Sequence, residues 1–376
     1  MTDISSWIGI VLLLLGILAA CEVFTNAIEN LGERLNLSHE FTGSILAAIG
    51  TALPETILPL VAIYMASTGL ASEAAAHKDI AIGAILGAPF MLGTLAMFLL
   101  GLSILTHKKQ RKSTSLNINL THLNRDLIYF LQAFLIAGLA TMFSSNYLSS
   151  IINYLCSNEL VIKLVNFNNI PTQCDDSTSM LLRIAVALVI IGLYVKYLIE
   201  TYKASKQEES GEDNDCPVLY LERFFGIKVS LLTVIIQTLI GLAGIIYFAH
   251  GFVETIEHIS KLTSISPMVL SLIISPIATE LPEKVNSWIW SSQGKDTLAM
   301  GNLSGAMVFQ ASIPCVIGIV LTPWQLNPLA LACAVLAIIS SLILLAAIKF
   351  KKEISYKTLM VCGSLYLIYL GLIFVL

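Results

Sequence analysis

Two triplets, Leu53-Pro54-Glu55 and Leu281-Pro282-Glu283, each set a carboxylate directly after a proline in the middle of a long apolar stretch. Proline lacks an N–H and its ring clashes with the carbonyl one turn earlier, so it frees backbone oxygens for other partners. A freed carbonyl, a carboxylate and a threonine hydroxyl, from Thr51 in one case and Thr279 in the other, form a set of hard oxygens suited to a metal cation. Glu280, three residues before Glu283, lies on nearly the same helical face and adds a third carboxylate as ligand or proton carrier. Calcium takes about 6–8 oxygen ligands, often with bidentate carboxylates, so two opposed glutamates supply about half of such a shell. Carbonyls around Ala47, Ala48, Ser275 and Ile277 are further donors, as are the side chains of Ser275, Asn302 and Gln310. An isolated carboxylate in hydrocarbon costs at least ~2.5–3.5 kcal/mol on insertion scales. A kink with a capping glutamate would explain one such triplet, but two in matching places call for a shared compensation.

The elements that must position these residues are set by composition. Of 376 residues, 56% are hydrophobic and 12% charged, with a mean hydropathy of +0.82. A soluble domain carries roughly 25% charged residues, so a soluble enzyme is excluded. The net charge of −4 and the absence of a basic stripe remove nucleic-acid binding. The apolar runs have the length of membrane helices, ~20 residues, and they lack the alternation of a transmembrane barrel. The fold class is therefore an all-α integral membrane protein. Ten spans are predicted: Trp7–Ile28, Phe41–Ser67, Ile80–Leu105, Leu127–Phe143 with a possible extension toward Leu148, Met180–Tyr202, Ile227–Ile256, Ile265–Trp290, Leu298–Leu321, Leu329–Ile348 and Thr358–Leu376.

Ten spans put both termini on one side. Of the 21 Lys and Arg residues, 15 fall in one alternate set of connections, from Arg34 through Lys108, Lys109 and Lys203 to Lys357, and only Lys78, Lys163 and Lys261 in the other. Positive charge marks the cytoplasmic face, so both termini are expected outside, with the acidic stretch Gln207–Asp215 in the cytoplasm. Leu18-Ala19-Ala20-Cys21 has the look of a lipoprotein cleavage site, but Asp3 stands where a signal peptide carries positive charge. Cys21, Cys315, Cys333 and Cys362 lie in spans as small packing residues. Cys216 is cytoplasmic, whereas Cys156 and Cys174 share one long external connection and can pair in an oxidising compartment.

The chain also repeats itself. A shift of 228 places Phe24-Thr-Asn-Ala-Ile28-Glu29 on Phe252-Val-Glu-Thr-Ile256-Glu257 and Thr51-Ala52-Leu53-Pro54-Glu55 on Thr279-Glu280-Leu281-Pro282-Glu283. A shift of 218 then places Gly83, Gly87 and Ala88 on Gly301, Gly305 and Ala306. Each copy holds five spans, an odd number, so the copies are expected to be inverted. The halves are 1–206, with its motif region at 40–104, and 227–376, with its motif region at 264–321; 207–226 is a cytoplasmic linker. Inverted repeats whose broken helices meet at the midplane are a hallmark of secondary transporters. The glycine pairs serve close helix approach or backbone access to an ion.

These segments resemble the calcium/cation antiporter superfamily, the sodium/calcium exchangers and their prokaryotic relatives. The resemblance is carried by Gly50-Thr51-Ala52-Leu53-Pro54-Glu55, Ala278-Thr279-Glu280-Leu281-Pro282-Glu283, Gly83-Ala84-Ile85-Leu86-Gly87-Ala88-Pro89 and Gly301-Asn302-Leu303-Ser304-Gly305-Ala306-Met307. It implies that Glu55 and Glu283 are calcium ligands and that Thr51 and Thr279 bind sodium and calcium. Ala52, Glu280, Ala88 and Ala306 replace motif serines, and Pro89 and Met307 stand where an amide or carboxylate belongs. The cluster is poorer in oxygens than the family's and asymmetric, which leaves sodium and protons both open as the coupling ion. The expected function is exchange of calcium for sodium across a prokaryotic cell membrane. Calcium/proton exchange is the alternative, and a cation-binding protein without transport is the alternative of another class. The expected partners are inorganic cations and the lipid bilayer, with no other cofactor and no enzymatic activity.

Overall fold

A computed structural model describes residues 4–34, 53–111, 113–143, 176–205 and 218–374. The helices in order are α1 (Ile4–Arg34), α2 (Leu53–Thr68), α3 (Ala74–Met91), α4 (Met97–Thr106), α5 (Lys108–Arg111), α6 (Leu120–Leu139) and α7 (Asp176–Ser205). They continue with α8 (Tyr220–Phe225), α9 (Leu231–Thr263), α10 (Pro267–Thr279), α11 (Leu281–Ser292), α12 (Asp296–Leu321), α13 (Pro328–Ala346) and α14 (Tyr356–Ile373). Among the described residues the only pairing outside helices is an isolated bridge between Ser115 and Ser355. Among the described residues eight helical segments are long and apolar enough to cross a membrane, and Leu53–Thr68 is a shorter apolar helix.

The helix ends follow local chemistry. Asn119 caps α6 by accepting from the Thr121 amide at 3.0 Å, and Asn327 caps α13 by accepting from Ala330 at 2.7 Å, with Pro328 in the first turn. Ser230 and Thr233 form a reciprocal capping box at the start of α9. Between α3 and α4 the chain widens into a π-turn at Leu92–Ala96, where the Thr94 hydroxyl donates to the Phe90 carbonyl at 2.6 Å and Ser340 donates to the Gly93 carbonyl.

Helix contacts recur in matching pairs. α1 lies along α9, α3 packs on α10, α2 on α3 and α11 on α12. Likewise α4 meets α14 as α7 meets α12, and α6 meets α12 as α13 meets α3. Two apolar cores result. One joins α1, α2 and α9 with the start of α3, and the other fills the space among α3, α4, α6, α12, α13 and α14. The α1–α9 crossing is close because position 241 has no side chain: a Cβ built on Gly241 would lie 2.8 Å from the Phe24 backbone. Large apolar side chains such as Leu12, Leu15, Leu188, Leu232 and Leu239 project outward from α1, α7 and α9, the surface that faces lipid.

Most buried charges are matched. Arg111 holds Asp296 through two 2.7 Å contacts, and the Asn117 amide adds a third at 2.7 Å. Asp126 accepts from Ser304 at 2.7 Å and pairs with Arg125 at 3.1 Å. Both arrangements supply the donors that a buried carboxylate requires.

Three expectations need correction. The fourth span extends toward its N-terminus, beginning at Leu120 rather than Leu127, because Asn124, Arg125 and Asp126 lower the local hydropathy while Asp126 is satisfied inside the protein. The span expected at 265–290 is two helices, α10 and α11, separated at Glu280. The sixth span starts at Leu231 and runs past Ile256 to Thr263. The 41–52 part of the second span, Thr51, Ala47, Ala48, the 207–215 stretch, Cys156, Cys174 and Cys216 lie outside the described residues. Cys21, Cys315, Cys333 and Cys362 are buried free thiols.

Candidate cation site

Each Leu-Pro-Glu triplet opens a helix. Leu53-Pro54-Glu55 forms the first turn of α2, and Leu281-Pro282-Glu283 that of α11. Proline is tolerated in a first turn, where its missing N–H has no helical partner. The glutamate that follows sits at the positive end of the helix dipole, which stabilises a carboxylate. α10 ends at Thr279, and Glu280 stands in the break, its amide still bonded to the Pro276 carbonyl at 3.2 Å and its carbonyl accepting from the Lys284 amide at 3.2 Å.

These turns converge. Glu55, Glu280 and Glu283 are 5%, 0% and 3% exposed. Each offers a carboxylate oxygen within 4.8 Å of those of the other two. The Oε2 atom of each has no hydrogen-bond partner among the described residues. Three buried carboxylates at that distance repel strongly in a low-dielectric interior, and a cation among them is the group that reverses the sign of the interaction. The unpartnered oxygens are the atoms it would use, with ligand chemistry that suits a hard divalent cation.

The other expected site residues divide by position. Gln310 donates from Nε2 to Glu280 Oε1 at 2.9 Å and holds that carboxylate, while its own Oε1 is buried without a partner among the described residues. Thr279 and Ser275 are buried, and the Thr279 hydroxyl donates to the Ser275 carbonyl at 3.3 Å, leaving its oxygen lone pairs free to accept. Asn302 turns its amide nitrogen to the Glu283 carbonyl and the Ser287 hydroxyl, both at 3.2 Å, so it fixes α11 against α12. The glycines of the first pair are close-approach residues: a Cβ at Gly83 or Gly87 would lie 2.3 Å from the carbonyl oxygen of Met268 or Leu272. Among the described residues nothing lies within 4 Å of a Cβ at Gly301, and Gly305 meets only the Tyr197 hydroxyl at 3.8 Å.

One residue of the site escaped the sequence reading. Lys284, one helical turn after Glu280, is 5% exposed and donates to Pro276 O at 2.9 Å, Met91 Sδ at 3.1 Å and Ile277 O at 3.3 Å. The legible signal was the Glu280/Lys284 spacing of four, which places opposite charges side by side on a helix.

A cavity of 610 Å³ reaches the two proline turns. Its walls include Cys21, Glu22, Asn26, Pro54, Pro282, Asn286, Tyr220 and Arg223. Glu22 and Asn26 thus share a cavity with Pro54 and Pro282, the prolines that precede Glu55 and Glu283. Tyr220 donates to Glu22 at 2.7 Å, and Asn26 and Gln237 join α1, α9 and the segment before α8 through hydrogen bonds of 2.8–3.1 Å. At the far end of α9 lies another charged group: His77 and Glu257 meet at 2.8 Å, Lys261 reaches Glu257 at 2.5 Å and Glu73 at 3.6 Å.

Solved structures share this fold. The H+/Ca2+ exchanger CAX aligns with a TM-score of 0.64 at 16% identity, over 97% of this chain and 81% of that one. Native YfkE aligns with 0.63 at 15% identity, over 98% and 92%. The sodium-calcium exchanger NCX_Mj, soaked with 2.5 mM Na+ and 10 mM Sr2+, aligns with 0.52 at 19% identity, over 99% of both chains. A comparison with curated protein sequences finds no match. The sodium/calcium exchanger protein family matches residues 5–203 and 233–375, most of the length, and the chain belongs to that family.

Proposed function

We propose that this protein is a secondary-active antiporter that carries calcium against sodium by alternating access, with Glu55, Glu280 and Glu283 as the shared cation site. The observation that carries this reading is the meeting of three buried carboxylates, each with an unpartnered oxygen, at two helix first turns contributed by different parts of the chain. Thr279, Ser275 and Gln310 surround the site, Thr51 is the proposed counterpart of Thr279, and Asn302 positions α11. One ion species occupies the carboxylates at a time, so release of one admits the other. The ten-span, inverted architecture, with halves 1–206 and 227–376 and both termini outside a prokaryotic cell membrane, is part of this proposal. The matched pairs of helix contacts across the halves support it.

The arrangement of openings fits alternating access. The cavity enters beside Tyr220 and Arg223, while the Glu73–Lys261–Glu257–His77 group joins α9 to the start of α3 at the other end. α1 and α9 share a core with α2 and the start of α3 that is separate from the one among α4, α6, α12, α13 and α14, which suits movement of this pair relative to that second group of helices.

A second reading, calcium against protons, has its own support. The Pro276 and Ile277 carbonyls, oxygens of the type that would hold sodium, accept from Lys284, and Glu280 adds a carboxylate able to carry a proton. Purified protein in liposomes, given radioactive calcium under separate sodium and pH gradients, distinguishes the two. Uptake driven by outward sodium with pH clamped supports the first reading, and uptake driven only by an outward proton gradient supports the second. Saturable binding without uptake under either gradient would replace both with a non-transporting cation-binding protein.

A further inference from the structure

The four charged groups at the α10–α11 break are unequal in number: three carboxylates, from Glu55, Glu280 and Glu283, and one ammonium, from Lys284. An ammonium has three donors, and the three acceptors bonded to Lys284 are all neutral: two main-chain carbonyls and a thioether. Lys284 therefore contributes its charge to the site without using the carboxylate oxygens. The other buried carboxylates among the described residues have cationic partners of their own: Asp296 with Arg111, Asp126 with Arg125, and Glu257 with Lys261.

We infer that Lys284 sets the net charge of the cation site at −2, so that one divalent cation or two monovalent cations neutralise it and the exchange moves no net charge. This rests on the proposed site and adds its stoichiometry. The reason is the cost of carrying unbalanced charge through hydrocarbon: the carrier changes sides readily when the site is neutral, and more slowly and with a dependence on the membrane potential when it is not. Without Lys284 the same carboxylates would sum to −3. A single calcium would leave one charge over, and three monovalent cations would be needed for the return. The repeat points the same way. Lys284 and Glu280 fall on Thr56 and Ala52 of the first copy under the 228 shift, so the second copy differs by one added acid and one added base at adjacent turns.

The test imposes potassium diffusion potentials of either sign, with valinomycin, on liposomes containing the full-length protein and measures radioactive calcium exchange. For the wild type, rate and final accumulation should not change with the potential. For Lys284→Met, accumulation should shift with the potential, as one charge per cycle requires, and for Glu280→Gln/Lys284→Met the insensitivity should return. Equilibrium binding provides a count that needs no transport. The slope of log apparent calcium Kd against log concentration of the coupling cation should be near two for wild type and near three for Lys284→Met. A wild type that responds to potential, a wild-type slope of three, or equal slopes in wild type and Lys284→Met would overturn the inference. Voltage-sensitive exchange that still requires Glu283 would leave the site assignment standing, whereas absence of saturable calcium binding would remove the assignment itself.

Discussion

Glu283→Gln and Glu55→Gln should each lower calcium exchange by about a hundredfold or more while leaving the protein folded. Glutamine keeps the shape of the side chain but removes its charge and places an N–H2 group among atoms whose free valences are acceptors. Breaking a buried charge contact by neutralising one partner costs about 3–5 kcal/mol, and 1.36 kcal/mol is a tenfold change, which gives roughly two to three and a half decades. The contact in question is with the cargo, so stability in the absence of calcium moves the other way: removing one of three mutually repelling carboxylates relieves strain. Calcium counterflow in liposomes and thermal unfolding without divalent cations together test this. Exchange at the wild-type rate in either variant would show that the carboxylate does not bind the transported ion.

Gly87→Ala should abolish exchange by a different route. A Cβ at this position would lie 2.3 Å from the Leu272 carbonyl oxygen and 2.7 Å from Pro276 Cγ, and neither atom belongs to a flexible side chain. Pro276 has no N–H to return to Leu272, so that carbonyl is released from the helical ladder and lies against the glycine. Alanine must push α10 away from α3. Overpacking of a tight core costs about 1–3 kcal/mol, occasionally more, and two rigid contacts place this case at the upper end. α10 leads directly into Glu280, so the displacement reaches the cation site as well. Gly83→Ala, with Met268 O at 2.3 Å, should behave in the same way. Gly371→Ala, exposed on α14 with nothing within 4 Å of its Cβ, should fold and transport as wild type does. Loss of monodisperse protein or of exchange in the first two, against retention in the third, is the expected pattern. Full activity of Gly87→Ala would mean that α3 and α10 are not in backbone contact.

The helical class and the order of the elements were legible, and the two triplets stood out, because all of these rest on local rules. A run of apolar residues reports a membrane helix, and a repeated Leu-Pro-Glu reports a helix start with a carboxylate on it. The convergence of Glu55 with Glu280 and Glu283 was suggested only by the repeat. The sequence reading attributed the role of the prolines to freed carbonyls throughout. The structure gives Pro54 and Pro282 a simpler role, as first-turn residues that let a glutamate sit at a helix start, while Pro276 stays inside α10. Lys284 drew no role from the sequence, since nothing local reveals that its ammonium turns back onto the carbonyls of the preceding helix. Asn302 was grouped with the further oxygen donors. Its side-chain amide nitrogen instead supports the backbone of Glu283, a contact that depends on the packing of α11 against α12. The start of the fourth span was misplaced for a related reason: hydropathy penalises Asp126, whereas Ser304, 178 residues away, satisfies it.

The central claim is that the carboxylates at the two Leu-Pro-Glu turns hold the transported divalent cation. Equilibrium binding of radioactive calcium to the purified protein in lipid nanodiscs tests it most directly. One saturable calcium per chain is expected, lost in both Glu55→Gln and Glu283→Gln. Absence of saturable binding in the wild type, or binding of unchanged affinity in those two variants, would contradict it.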